Sequence, residues 1–174
     1  MTQVLFVPGS LRAASSSRGM TRALIRGLDG RVDTETAEIG TLPLYNADVM
    51  DDPAVSAFVS QVKAAAGVVF VTPEYNYSVP GVLKNAIDWA SRPAFDSVFK
   101  GKPCLVMSVS GGALGGVRAQ GHLKYILNGM LAQVFPWQEI VVPMANAKMV
   151  DGIIEDDATL DFAIKGLGAF VDTL

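Results

Sequence analysis

Ser10, Arg12, Ser15, Ser16 and Ser17 place four hydroxyls and one guanidinium within eight consecutive residues. Hydroxyl donors beside a permanent, forked cation suit a phosphate monoester. The loop that carries them runs Ser10-Leu11-Arg12-Ala13-Ala14-Ser15-Ser16-Ser17. A second group, Pro73-Glu74-Tyr75-Asn76-Tyr77, combines backbone donors and a side-chain amide with two phenol rings. That mixture suits a flat heteroaromatic ring better than a sugar or a metal ion. A third stretch, from Ser108 through Ser110 and Gly111 to Gly116, has four glycines within six residues, which lets backbone approach a ligand closely or adopt positive φ. Each group also has a plainer reading: serines capping a helix, a solvated arginine, a flexible connection.

The elements around these groups follow from hydrophobic pattern. Residues 4–7, 68–71, 104–107 and 140–142 are continuous apolar runs, as expected of strands covered on both faces. Residues 32–39 alternate weakly and suit an edge strand. Met20, Ala23, Leu24 and Leu28 predict a helix after the first loop, and Val55, Phe58, Val59 and Val62 predict another opened by Asp52-Pro53. Val82, Leu83, Ala86, Ile87 and Trp89 predict a third, with Ser78 as its cap and Pro80 in its first turn. A fourth face runs from Leu123 through Leu131 to Val134, and a fifth from Leu160 to Val171 behind Asp156 and Asp157. Strands alternating with helices predict an α/β, three-layer sandwich with a five-stranded parallel sheet of order 2-1-3-4-5. In that order the loops after strands 1 and 3 flank the topological switch point, where open parallel sheets bind ligands.

With 174 residues, 50% of them hydrophobic and 18% charged, the chain suits one domain over residues 1–174. A net charge of -3 and fourteen scattered Lys and Arg residues give no basic stripe, so no nucleic-acid or anionic-membrane partner is expected. One cysteine and one histidine are too few for an intrachain disulfide or a structural zinc site. No signal-peptide pattern or membrane-length apolar run is visible, which predicts a cytoplasmic protein. There is neither a G-x-x-x-x-G-K-[ST] loop nor a G-x-G-x-x-G turn. Cys104 reads as a small core residue, His122 as packed or hydrogen-bonded, and Glu74 as a structural or loop-closing residue.

Gly9-Ser10-Leu11-Arg12 with its serines, the long run from Pro73 to Trp89, and Gly115-Gly116-Val117-Arg118 together resemble the NADPH-dependent FMN reductase family. This is the flavodoxin-like group that includes bacterial quinone, chromate and azo-dye reductases. The resemblance covers nearly the whole chain. It implies that the first loop binds the FMN phosphate, that residues 73–77 border the isoalloxazine and ribityl chain, and that Ser110 and Gly111 close the other side. Two departures are Ser17, where family members commonly have Asn, and the glycine-rich Gly111-Gly112. The implied activity is ping-pong hydride transfer from NADPH or NADH to FMN N5 and on to quinone, azo, chromate, ferric or flavin acceptors, in a homodimer or homotetramer. It allows Tyr45, Asn46 and Tyr77 to reach the pocket from a partner chain, and favours a subunit-interface ion pair for Arg118 over the alternative of attracting a nicotinamide phosphate or an anionic acceptor such as chromate. A flavodoxin-type single-electron carrier without NAD(P)H turnover is the rival, and a phosphate-binding domain that has lost flavin is a third reading.

Overall fold

The computed structural model describes residues 2–49 and 51–174. The apolar runs form β1 (Gln3–Pro8), β3 (Gly67–Thr72) and β4 (Pro103–Val109), with β2 (Asp33–Thr36) on one edge. All pair in parallel in the order β2-β1-β3-β4, with β1 and β3 in register from Val4↔Gly67 to Pro8↔Val71. Between them run α1 (Ser16–Leu28), α2 (Pro53–Ala64), α3 (Gly81–Ala90), α4 (Val117–Gly129) and α5 (Asp157–Val171).

The strand runs are continuous because alternate residues serve two different cores. Val4, Phe6, Val69, Val71, Leu105 and Met107 pack with α1 and α5 through Met20, Leu24, Leu167 and Phe170. Leu5, Val7, Val68, Phe70, Cys104 and Val106 pack on the opposite face with Phe58, Val62, Leu83, Ile87, Leu123 and Leu127 from α2, α3 and α4. With no strand face left to water, the chain has no reason to alternate polar residues into these segments.

Three expectations change in detail. The fifth strand position is shared by two short strands: β5 (Gln133–Val134) pairs with Pro103 and Cys104, and β6 (Ile140–Val142) pairs with residues 107–109. The sheet therefore has six strands in the expected parallel order. Secondly, α4 stops at Gly129, Leu131 turns left-handed at φ 62°, and Val134 belongs to β5 rather than to the helix face. Thirdly, Ser78 does not cap α3: Pro80 holds the N-cap position, and the Ser78 hydroxyl meets His122 Nδ1 at 2.9 Å.

A short hairpin, β7 (Met149–Val150) and β8 (Ile153–Ile154), was not among the expected elements. Its signal is Asp151-Gly152, with φ of 48° and 81°, the left-handed pair that a two-residue turn between strands demands. Predicted caps at Asp52 and Asp156 are in place, the first accepting from Ala54 and Val55 N–H at 2.9 and 3.1 Å and the second from Thr159 N–H at 3.1 Å.

Cys104 lies within β4, fully covered, and burial pushes its thiol up to about 12 against a weak opposing pull from Lys102. The thiolate is the reactive form. Native protein at mildly alkaline pH should therefore leave a disulfide reagent unconsumed, while denatured protein should consume one equivalent. Rapid stoichiometric reaction of the folded chain would contradict this burial.

Candidate functional site

At the carboxyl ends of β1, β3 and β4 the three loops meet around an open cleft of about 180 Å³. Its lining includes Ser10, Arg12, Ser15, Ser16 and Ser17 from the first loop, Pro73, Glu74 and Tyr75 from the second, and Val109, Ser110 and Gly111 from the third. The sequence separates these groups by up to a hundred residues; the parallel order at the switch point brings them together.

The first loop is rigidly built. Ser15 is the N-cap of α1, its hydroxyl accepting from Arg18 N–H at 3.3 Å and lying 3.3 Å from the Ser17 hydroxyl. Ser15 N–H in turn donates to Arg12 C=O at 3.0 Å. Ser10, Ser15 and Ser17 are almost wholly buried, so their hydroxyls have the cleft as their outlet. Among the described residues no carboxylate pairs with the Arg12 guanidinium. A helix N-terminus, three ordered hydroxyls and an uncompensated cation form an anion site.

In the second loop, Tyr75 N–H donates to Ser78 C=O and Ser78 N–H to Tyr75 C=O, both at 3.1 Å. The two central residues, Asn76 and Tyr77, have φ of 48° and 67°. Positive φ at both positions is the two-residue turn geometry usually met by Asn-Gly. A tyrosine there is strained, and backbone strain of this kind is characteristic of binding loops. Tyr77 is stabilised by the Arg118 guanidinium, 4.5 Å above its ring centroid. The Tyr75 hydroxyl meets Ser10 Oγ at 3.1 Å and so ties the second loop to the first.

Glu74 has a different task. Gly116, the N-cap of α4, has no side chain to satisfy the first turn. Glu74 Oε2 accepts from Arg118 and Ala119 N–H at 3.1 and 3.3 Å, and Oε1 from Arg118 Nη1 at 3.2 Å. A carboxylate borrowed from another loop caps the helix and opposes its positive end. The expected loop-closing role of Glu74 has this physical basis.

The third loop is held by β6 and the turn after it, through Ser110 N–H to Val142 C=O at 3.0 Å and Ala145 N–H to Ser110 C=O at 2.9 Å. That turn adds Asn146, a cleft residue that sequence reasoning missed. Asn146 Oδ1 accepts from the Ser16 hydroxyl at 3.3 Å, and its Nδ2 lies 2.7 Å from where a Cβ on Gly111 would stand. No local pattern singled it out; only the Ala145-Asn146 interruption after an apolar run marked a turn there. Val109, read from the sequence as part of the third loop, is the last residue of β4 and lines the cleft; its apolar side chain carries no site signal of its own.

The side chains of five expected residues do not line the cleft. Leu11 leans on Gly40, Ala13 and Ala14 face solvent, and Asn76 and Tyr77 form the outward tip of the turn. Tyr45 lies elsewhere in the chain, edge-on to Trp89 at 5.0 Å with its N–H on Asn85 Oδ1 at 2.7 Å. Among the described residues no group of three or more His, Cys, Asp or Glu side chains could hold a metal ion. The donor set fits FMN: hydroxyls, Arg12 and a helix terminus for the phosphate, and a polar-edged, tyrosine-bearing turn for the ring. The one carboxylate in the lining, Glu74, is already engaged by three donors and does not oppose an anion.

Comparison with known proteins agrees with this geometry. The chain is 41% identical over 171 residues to an NAD(P)H-dependent FMN reductase of Pseudomonas aeruginosa, covering 96% of this chain and 92% of that protein. It is 41% identical over 175 residues to a quinone reductase of Escherichia coli, covering 97% and 93%. The solved structure of FerB, a flavoenzyme NAD(P)H:(acceptor) oxidoreductase from Paracoccus denitrificans, superposes with a TM-score of 0.89 at 34% identity, over 99% of this chain and 96% of that one. The profile of the NADPH-dependent FMN reductases matches residues 2–147, and the chain belongs to that family.

Proposed function

We propose that the cleft holds FMN, with its phosphate at Ser10, Arg12 and the α1 N-terminus and its ring against residues 73–75 and 110–111, and that the protein passes electrons from NADPH or NADH to quinones and related small acceptors. The observation that carries this reading is the convergence, in one cleft, of an anion site with an uncompensated arginine and a strained turn whose tyrosine is bonded back to it. FMN held by Ser10, Arg12 and the serines would supply the redox chemistry, ping-pong hydride transfer through N5 between NAD(P)H and the acceptor.

The chain's own contribution is binding and orientation. Arg12 and the serines hold the charged tail. Tyr75 positions the second loop over Ser10, and Glu74 anchors that loop to α4. Tyr77 on the second loop and Leu114 on the third are exposed and would offer apolar contact to a flat acceptor. We place the protein in the cytoplasm as a single domain that forms a homodimer or homotetramer, which light scattering tests against a concentration-independent monomer.

The decisive experiment titrates flavin-free protein with FMN and then mixes the complex with NADPH without oxygen. Quenching of FMN fluorescence followed by rapid bleaching of its visible band is expected. Binding without bleaching by either nicotinamide favours an electron carrier, and no spectral change on adding FMN removes the reading altogether. Rates across quinones, azo dyes, chromate and free FMN then rank the acceptors.

Glu74→Gln keeps the side chain's shape but removes the charge at the α4 terminus. It should cost about 0.5–2 kcal/mol of stability and weaken FMN binding, while flavin reduction in the saturated variant stays near the wild-type rate. A loss of about 10²- to 10⁴-fold at saturation would instead make Glu74 a proton donor in the reaction.

A further inference from the structure

Arg18 sits in the first turn of α1, where the helix dipole disfavours a cation. Its side chain does not line the cleft but lies behind the first loop, with Pro8, Thr21 and Thr36 around a separate cavity of about 170 Å³. Each of its three guanidinium nitrogens is engaged there. Nη1 and Nη2 form a two-pronged bond to the Glu38 carboxylate at 3.0 and 2.9 Å, and Nε donates to Ser10 C=O at 3.1 Å. The charge is thus cancelled locally, and what remains is a fixed hydrogen-bond donor aimed at one peptide of the phosphate loop.

In a trans peptide the C=O and the following N–H point in opposite directions. Drawing Ser10 C=O backward to Arg18 turns Leu11 N–H forward, and no partner for Leu11 N–H exists among the described residues. We propose that Arg18, locked by Glu38, is a positioning residue that orients the Ser10–Leu11 peptide so that Leu11 N–H becomes a phosphate donor. The proposal rests on the phosphate assignment made above. It also gives the partly buried Arg18 a reason to occupy a helix position that its charge does not favour.

A positioning role and a charge role predict opposite signs. Were Arg18 to act by long-range attraction, Glu38→Gln would unmask its charge and tighten FMN binding. If it acts by geometry, both Arg18→Lys, which keeps the charge but lacks the fork, and Glu38→Gln, which frees the fork, should weaken binding. The test is fluorescence titration of flavin-free full-length protein with FMN and with riboflavin, which lacks the phosphate. Loss of one hydrogen bond to a charged group corresponds to about tenfold weaker FMN binding, with riboflavin affinity unchanged and the ³¹P resonance of bound FMN displaced.

Unaltered FMN affinity in both variants, tighter binding by Glu38→Gln, or an equal loss for FMN and riboflavin overturns the inference. Failure of the wild type to bind FMN sinks the phosphate assignment itself, a result distinguishable from the others. Melting of the flavin-free variants checks folding; Glu38 is 64% exposed, so Glu38→Gln carries the test even where Arg18→Lys does not fold.

Discussion

The pairing of β1 with β3 continues past the strand ends, and the site depends on that continuation. Gly9 N–H donates to Val71 C=O at 2.9 Å, so the first residue of the loop is still in the ladder. A Cβ on residue 9 would stand 2.9 Å from Pro73 Cδ and 3.1 Å from a methyl of Leu83. With no side chain between them, the two loops that diverge from the switch point leave it in contact. The Tyr75–Ser10 bond and the shared cleft both require that closeness.

From that contact outward, each loop is held by a neighbour as well as by its own internal bonds. Glu74 caps α4, Asn146 takes the Ser16 hydroxyl, and the turn after β6 holds both Ser110 and Gly112 through their carbonyls. Individually such bonds contribute about 1 kcal/mol each. Their collective effect is to fix donor positions before a ligand arrives, which lowers the ordering cost of binding. The helix dipole enters twice with the same sign: at α1 it faces the cleft, and at α4 it is neutralised by Glu74.

Local rules are broken where the site is built. Tyr77 adopts positive φ, Arg18 opposes a helix dipole, and the fully buried Gln120 donates to Ser108 Oγ and Ile140 C=O while its Oε1 has no partner among the described residues. Away from the cleft the same chain follows pattern closely, with alternate strand residues in two apolar cores and acidic N-caps on α2 and α5. Exceptions there include Phe95 and Leu131, with φ of 59° and 62°, and the buried Trp137 Nε1, which has no partner among the described residues.

Sequence alone determined the order of elements and the two-faced burial of the strands, because each depends on short-range periodicity. It misjudged Ser78 as a cap and extended α4 to Val134, since both ends are set by partners distant in the chain: His122 for the first, β4 for the second. Tertiary structure decided that the side chains of Leu11, Ala13, Ala14, Asn76 and Tyr77 stay out of the lining and that Asn146 enters it. It also decided which arginine serves which purpose. Arg12 and Arg18 are indistinguishable as residue types, and only the fold, by bringing Glu38 behind the loop, commits one and leaves the other uncompensated at the cleft. Side-chain chemistry is local and legible in order; the partner that consumes or frees a charge is a non-local contact, and such contacts exist only once the sheet has assembled.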